Sequence, residues 1–209
     1  VDPGRMVALE LGGKNASLIR EDADLDLATR HLAFAALAST GQRCTACAKA
    51  FVHRSRIDAL AEHLSGVFER VAVGAPDAAS TFMGPLATAS GLEALETAQR
   101  AVEATGEITT LARQKLTSLP NGHYVAPALR RAESTETRVP GFSDTELFGP
   151  DLTLHPYDNE GDAIAAMNAT PYGLAGAVFT QSEAAFREAR DALDCGIVHW
   201  NLSTAGASG

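Results

Sequence analysis

Cys44 stands in the run Gly41-Gln42-Arg43-Cys44-Thr45-Ala46-Cys47. Several chemistries fit a cysteine in that setting. The Cys44/Cys47 spacing is half of a zinc site, yet a structural zinc takes four ligands. No second pair follows, and His31 and His53 stand isolated, so a metal is disfavoured. A dithiol redox motif normally follows a strand and opens a helix, whereas a long helical pattern precedes this one. Packing is the plain reading of a free thiol, and it suits Cys47 and Cys195. Cys44 differs because Gly41 breaks the helix and polar Gln42 and Arg43 come next. A short helix restarting at Cys44 would set the sulfur against free N–H groups beside an arginine, which favours thiolate. On local sequence, nucleophile and packing thiol both stay open.

A thiolate nucleophile needs a base. Glu10 lies in Met6-Val7-Ala8-Leu9-Glu10-Leu11, an apolar run that reads as a strand. Burial there would raise its carboxyl pKa and suit a general base. The bland alternative is a strand-end acid facing solvent or paired with Lys14. Gly12 and Gly13 follow, and their lack of side chains lets another group approach the backbone. A third cluster, Glu146-Leu147-Phe148-Gly149-Pro150, places an acceptor and an aromatic wall just before a strand.

The elements that must position these groups alternate. Strands are predicted at Met6–Leu11, Ala16–Ile19, Ala48–Arg54, Gly106–Ala112, Gly122–Leu129, Asp151–Tyr157, Leu174–Thr180 and Cys195–Asn201. Helices are predicted over Asp22–Ser39, from a Ser55 cap to Arg70, over Ser90–Ala104, Asn159–Asn168 and Ser182–Asp194. Residues 73–88 read as a long loop. The alternation predicts an α/β fold, three αβα layers around a mostly parallel sheet.

The chain has 209 residues, 45% of them hydrophobic, with a net charge of −9. An acidic surface argues against nucleic acid. No apolar run has the length of a membrane span, and no signal peptide is read. Three cysteines, an odd number, point to a reducing, cytoplasmic compartment.

Taken together, Leu9–Asn15, Gly41–Ala46, Glu146–Pro150 and Asn168–Thr180 resemble four motifs of the aldehyde dehydrogenase superfamily, in order, with Glu10 and Cys44 separated by 34 residues. The resemblance covers essentially the whole chain. It implies the fold of that family's catalytic domain over residues 14–209, with residues 1–13 as the last strand of a cofactor domain. It implies that Cys44 attacks an aldehyde, that the Cys44 N–H helps hold the oxyanion, and that Glu10 activates the hydrolytic water. Glu146, Phe148 and Gly12 would meet NAD or NADP, most of whose binding domain would lie before Val1 along with an oxyanion asparagine. A homo-oligomer is implied for the full-length protein, and the fragment alone is expected to be inactive as a dehydrogenase. The ending Gly196–Ser208 is similar to the succinylglutamate-semialdehyde dehydrogenase branch of arginine catabolism. For such an anionic substrate Arg43, Ser203, Thr204 and Ser208 are candidate binding residues. Trp200 reads equally well as a core aromatic. Two other functions are carried: a cofactor-independent thiol esterase using Cys44 and Glu10, and a non-catalytic oligomerisation module.

Overall fold

The computed structural model describes Gly4, residues 9–117 and residues 119–206. Seven strands form one sheet: β1 (Asn15–Ile19), β2 (Cys47–His53), β3 (Ile108–Arg113), β4 (Ala128–Ala132), β5 (Asp151–Tyr157), β6 (Ala175–Phe179) and β7 (Ile197–Trp200). Their spatial order is β3-β4-β5-β2-β1-β6-β7. All neighbours pair in parallel except β3 with β4, which is antiparallel at one edge. The three-layer αβα reading with a mostly parallel sheet holds.

Five helices of eight or more residues cover the sheet: α1 (Leu25–Leu37), α2 (Ile57–Phe68), α3 (Ala89–Thr105), α4 (Glu160–Asn168) and α5 (Glu183–Ala192). Helices α1 and α2 bury Leu32, Leu37, Leu60 and Leu64 against Ile19, Ala50, Val52, Leu129 and Leu154 on one face. On the other, α4 and α5 pack Ala163, Met167 and Ala189 on Leu18, Phe51 and Val178. Strand β1 is central and every residue of it is buried, as expected of a parallel strand covered on both faces. The caps follow side-chain chemistry: Asp24, Thr88, Asn159 and Ser182 each accept a backbone N–H in the first turn of the helix that follows. Ser55 does not cap α2. Arg56 holds that position, and the Ser55 hydroxyl pairs with His53 Nδ1 at 2.8 Å.

Two expected strands are not found as written. Of Met6–Leu11, residues 6–8 lie outside the described residues, and Leu9, Glu10 and Leu11 are exposed coil. Residues 122–127 make only an isolated bridge between His123 and Leu86. Pro127 has no N–H to give a ladder, and β4 starts immediately after it.

The α3 side also carries a buried ionic network. Arg130, fully buried, donates Nε to both Asp151 carboxylate oxygens at 3.2 and 3.0 Å and Nη1 to Thr110 and Glu103. Gln99 donates to Asp151 at 2.9 Å. Strands β4 and β5 and helix α3 are thereby fixed in one register.

Candidate active site

The candidate residues gather where the chain enters the strands. Gly12 and Gly13 lead into β1, Thr45 and Ala46 into β2, Leu147 to Pro150 into β5, and Tyr172 to Leu174 into β6. In a parallel sheet these are all amino ends. Open α/β sheets more commonly bind ligands beyond the carboxyl ends.

Asn15 organises the nucleophile. Its buried amide donates to the Cys44 carbonyl at 2.7 Å and the Ala46 carbonyl at 2.9 Å, and its Oδ1 accepts from Ala175 N at 3.1 Å. One side chain therefore uses three hydrogen-bonding positions to tie the Cys44 segment to β1 and β6. Cys44 lies in a turn closed by Ala46 N to the Arg43 carbonyl at 3.0 Å, so no helix starts at Cys44. Its side chain is half-buried, and its backbone N–H has no acceptor among the described residues.

Gly13 lies directly against this turn: a Cβ on it would meet the Cys44 carbonyl oxygen at 2.2 Å. Its N–H donates to Glu146 Oε1 at 2.9 Å. At Gly12 a Cβ would meet Glu146 Oε2 at 2.5 Å and Tyr172 at 3.3 Å. The two glycines thus let the Cys44 turn, Glu146 and Tyr172 close on one strip of backbone.

The corner before the nucleophile turn is left-handed. Ser39, Thr40 and Gly41 have φ of 55, 60 and 68°, a conformation that costs energy for residues with a Cβ. Side chains hold it in place. Thr40 donates to the Gly84 carbonyl at 3.0 Å, and Gln42 accepts from Ala87 N at 2.8 Å. Gly149 O sits where a Gly41 Cβ would stand. Phe148 also has positive φ, at 52°, and is 47% exposed.

The structure places the remaining candidates as follows. Glu10 is on exposed coil three residues before Gly13, with no hydrogen-bond partner among the described residues, instead of buried in a strand. Lys14 does not pair with it. Lys14 is buried with Nζ 5.3 Å from the Phe142 ring centroid, and burial, partly offset by Asp151, lowers its pKa to about 8. Arg43 is engaged at both ends, Nε on Ser39 Oγ and Nη1 on the Ala205 carbonyl, each at 3.0 Å. Ser203 Oγ accepts from Ala205 N at 3.1 Å. Thr204 is buried, and its Oγ1 has no partner among the described residues. Ser208 lies outside the described residues.

The other thiols differ from Cys44. Cys47 is buried in β2, 3.3 Å from Ser17 Oγ and donating to the Lys49 carbonyl, and burial pushes its pKa up to about 11. Cys195 is half-buried, its pKa raised by burial and Asp194. Trp200 stacks on Phe186 at 5.3 Å and donates Nε1 to the Thr180 carbonyl at 2.9 Å. No three metal-ligating side chains cluster among the described residues. Sequence reasoning missed Asn15 and Tyr172. The available signal for Asn15 was a polar residue at the head of an otherwise buried strand.

Comparisons with known proteins bear on the family and the fold. The profile of the "Aldehyde dehydrogenase family" matches residues 3–209. An aldehyde dehydrogenase family 7 member A1 of Pisum sativum is 33% identical over 95% of this chain and 38% of its own length. A 3-succinoylsemialdehyde-pyridine dehydrogenase of a Pseudomonas species is 34% identical over 94% of this chain and 41% of its own. Among solved structures, the NAD+ complex of an aldehyde dehydrogenase from Bacillus cereus superposes with a TM-score of 0.85 at 29% identity, over 93% of this chain and 38% of that one. Betaine aldehyde dehydrogenase from Staphylococcus aureus in complex with NAD+ gives 0.86 at 28% identity, with the same coverage. The chain thus spans about two-fifths of the length of these relatives. With the fold, the four motifs and their convergence in agreement, the chain belongs to the aldehyde dehydrogenase family.

Proposed function

We propose that this chain is the nucleophile-bearing catalytic domain, residues 14–209, of an NAD(P)-dependent aldehyde dehydrogenase, with residues 1–13 belonging to a cofactor domain. The observation that carries the reading is the meeting of Cys44, Gly12–Gly13 and Glu146 through Asn15 and the Gly13 N–H.

In this reading the Cys44 thiolate adds to an aldehyde carbon and gives a thiohemiacetal whose oxyanion takes the free Cys44 N–H. The residues present fit a nucleotide. Glu146 is fixed by Gly13 through one oxygen and keeps the other to accept from ribose hydroxyls, and Phe148 stands exposed beside it. Nicotinamide, when bound, supplies the hydride acceptor that turns the adduct into a thioester. A water activated by Glu10 then releases the carboxylate, a role that requires the exposed residues 9–11 to fold back toward Cys44.

The substrate class is an aldehyde. Support for a semialdehyde comes from the relative that acts on one. The succinylglutamate reading rests on residues 196–208 together with Gly41–Cys44. Arg43 serves as a strut joining the nucleophile turn to Ala205, and its Nη2 keeps donors for a substrate carboxylate. A homo-oligomer remains the reading for the longer protein. No helix among the described residues is long and apolar enough to cross a membrane.

The test assays an activated ester and an aldehyde, each with and without NAD, on the chain and on its Cys44→Ala variant. Ester turnover that vanishes with Cys44 supports the nucleophile. Turnover retained in Cys44→Ala refutes it.

A further inference from the structure

We infer that a second cavity, floored by Lys49 and His155 on the α4 side of the sheet, binds a small monocarboxylate through the Lys49 ammonium. The cavity has a volume of about 310 Å³ and opens between α4 and residues 135–138. It shares no lining residue with the Cys44, Gly12–Gly13 and Glu146 cluster.

Lys49 is the reason to expect an anion. It projects from β2 opposite Thr153 of β5, is only 7% exposed, and has no hydrogen-bond or ion-pair partner among the described residues. A buried ammonium without a direct ion pair is costly, and native proteins normally pair such groups. Asp144 attracts Lys49 from beyond ion-pair distance. Arg138 is of the same sign and is committed to Asp144 at 2.7 Å. Lys14, the next buried cation, adds a like charge. His155 is buried and holds its Nδ1 3.4 Å from the Ser134 carbonyl. Burial and Lys49 push its pKa down to about 4, so it stays neutral and does not compete for an anion.

The walls define the rest of the ligand. The Phe51 and His155 rings stack at 4.9 Å with 22° between planes, giving a flat floor. Ala165 and Ala166 of α4 and Ala169 just past its end line the opposite side. An apolar body fits between them. At the mouth stand Glu136 and Asp162, both exposed. They accept a hydrocarbon or hydrogen-bond-donating end and repel a second carboxylate. A monoanion with an apolar tail satisfies the cavity, and a dicarboxylate of equal length does not.

The test titrates pentanoate and pentanedioate into the 209-residue chain and follows amide and methyl NMR shifts. Expected are saturable millimolar shifts at Lys49, Phe51, Ala165 and Ala166 with pentanoate, and binding several-fold weaker with pentanedioate. Lys49→Met removes an unpaired buried charge and is expected to fold. It should weaken pentanoate binding about tenfold or more, the scale of a lost charge-assisted hydrogen bond. Ala166→Phe, which fills the cavity and leaves Lys49 in place, should weaken it likewise. No saturable shift, equal binding by Lys49→Met, or pentanedioate binding as tightly as pentanoate would overturn the inference.

Discussion

Replacing Asn15 by alanine tests the architecture of the site at its anchor. The change deletes two donors and one acceptor and leaves the carbonyls of Cys44 and Ala46 and the N–H of Ala175 without their partner. A buried polar group stripped of its partner costs about 1–3 kcal/mol. Water can reach the half-buried Cys44 segment, so its carbonyl recovers much of its loss. The Ala175 N–H, in a buried strand between β1 and β7, does not. The expected destabilisation is about 2–4 kcal/mol, read as a lower urea midpoint at unchanged slope. The loss should also be local. Cys47, one residue past the released Ala46 carbonyl, is shielded in the native chain. Opening of the turn by about 2 kcal/mol raises its labelling by iodoacetamide about thirtyfold. Asn15→Asp should do no better, because its second oxygen would face two carbonyls. An Asn15→Ala protein with the native midpoint, and with Cys47 as protected as before, would refute the claim that this side chain holds the nucleophile turn.

Other outcomes follow from the same coordinates. Gly13→Ala places a methyl 2.2 Å from the Cys44 carbonyl, so the turn must move. It should cost about 1–3 kcal/mol and most of any ester turnover, measured by urea titration and by the acylation burst. Under native conditions iodoacetamide should label Cys44 before Cys195 and leave Cys47 unmodified, as peptide mapping would show. Arg130→Met leaves Asp151 buried with Gln99 alone and should cost about 3–5 kcal/mol, read by chemical denaturation. Acid should destabilise the chain before its carboxylates titrate. The folded-state pKa of His155 is depressed to about 4, so between its unfolded value near 6.5 and 4 only the unfolded chain takes the proton. Stability therefore falls with pH across that window, by up to about 1.4 kcal/mol per pH unit, and His155→Phe should flatten the slope. For Lys14, depressed to about 8, the same sign adds stability between about pH 8 and 10.5, opposed above about pH 9 by the raised Cys47 thiol, and Lys14→Met should remove the Lys14 part of the profile.

Much of the fold was legible because its signals are local. The run Asp151–Tyr157 is a strand over its full length, and Asp24, Asn159 and Ser182 cap helices as their side chains allow. Misreadings arose where a local signal was overruled from a distance. Ser55 had the chemistry of a cap, but His53 took its hydroxyl. Gly122 to Leu129 had the composition of a strand, but Pro127 delays the ladder to Ala128. Gly41 signals a break ahead of the Cys44 region but not the conformation that follows. That conformation is set instead by Asn15, whose three bonds reach 29, 31 and 160 residues along the chain. Arg130 and Asp151, likewise, are ordinary charged residues until β4 and β5 lie side by side.

The gathering of the reactive segments at the strands' leading edge also decides which helix poles they meet. A helix that links two parallel strands runs back along the sheet, so its carbonyl-bearing tail arrives at this edge. Helix α1 ends at Leu37, just ahead of the corner that delivers Cys44. The macrodipole here is negative. A sulfur anion or an alkoxide at position 44 therefore draws no help from that source and depends on single amides exposed by turns.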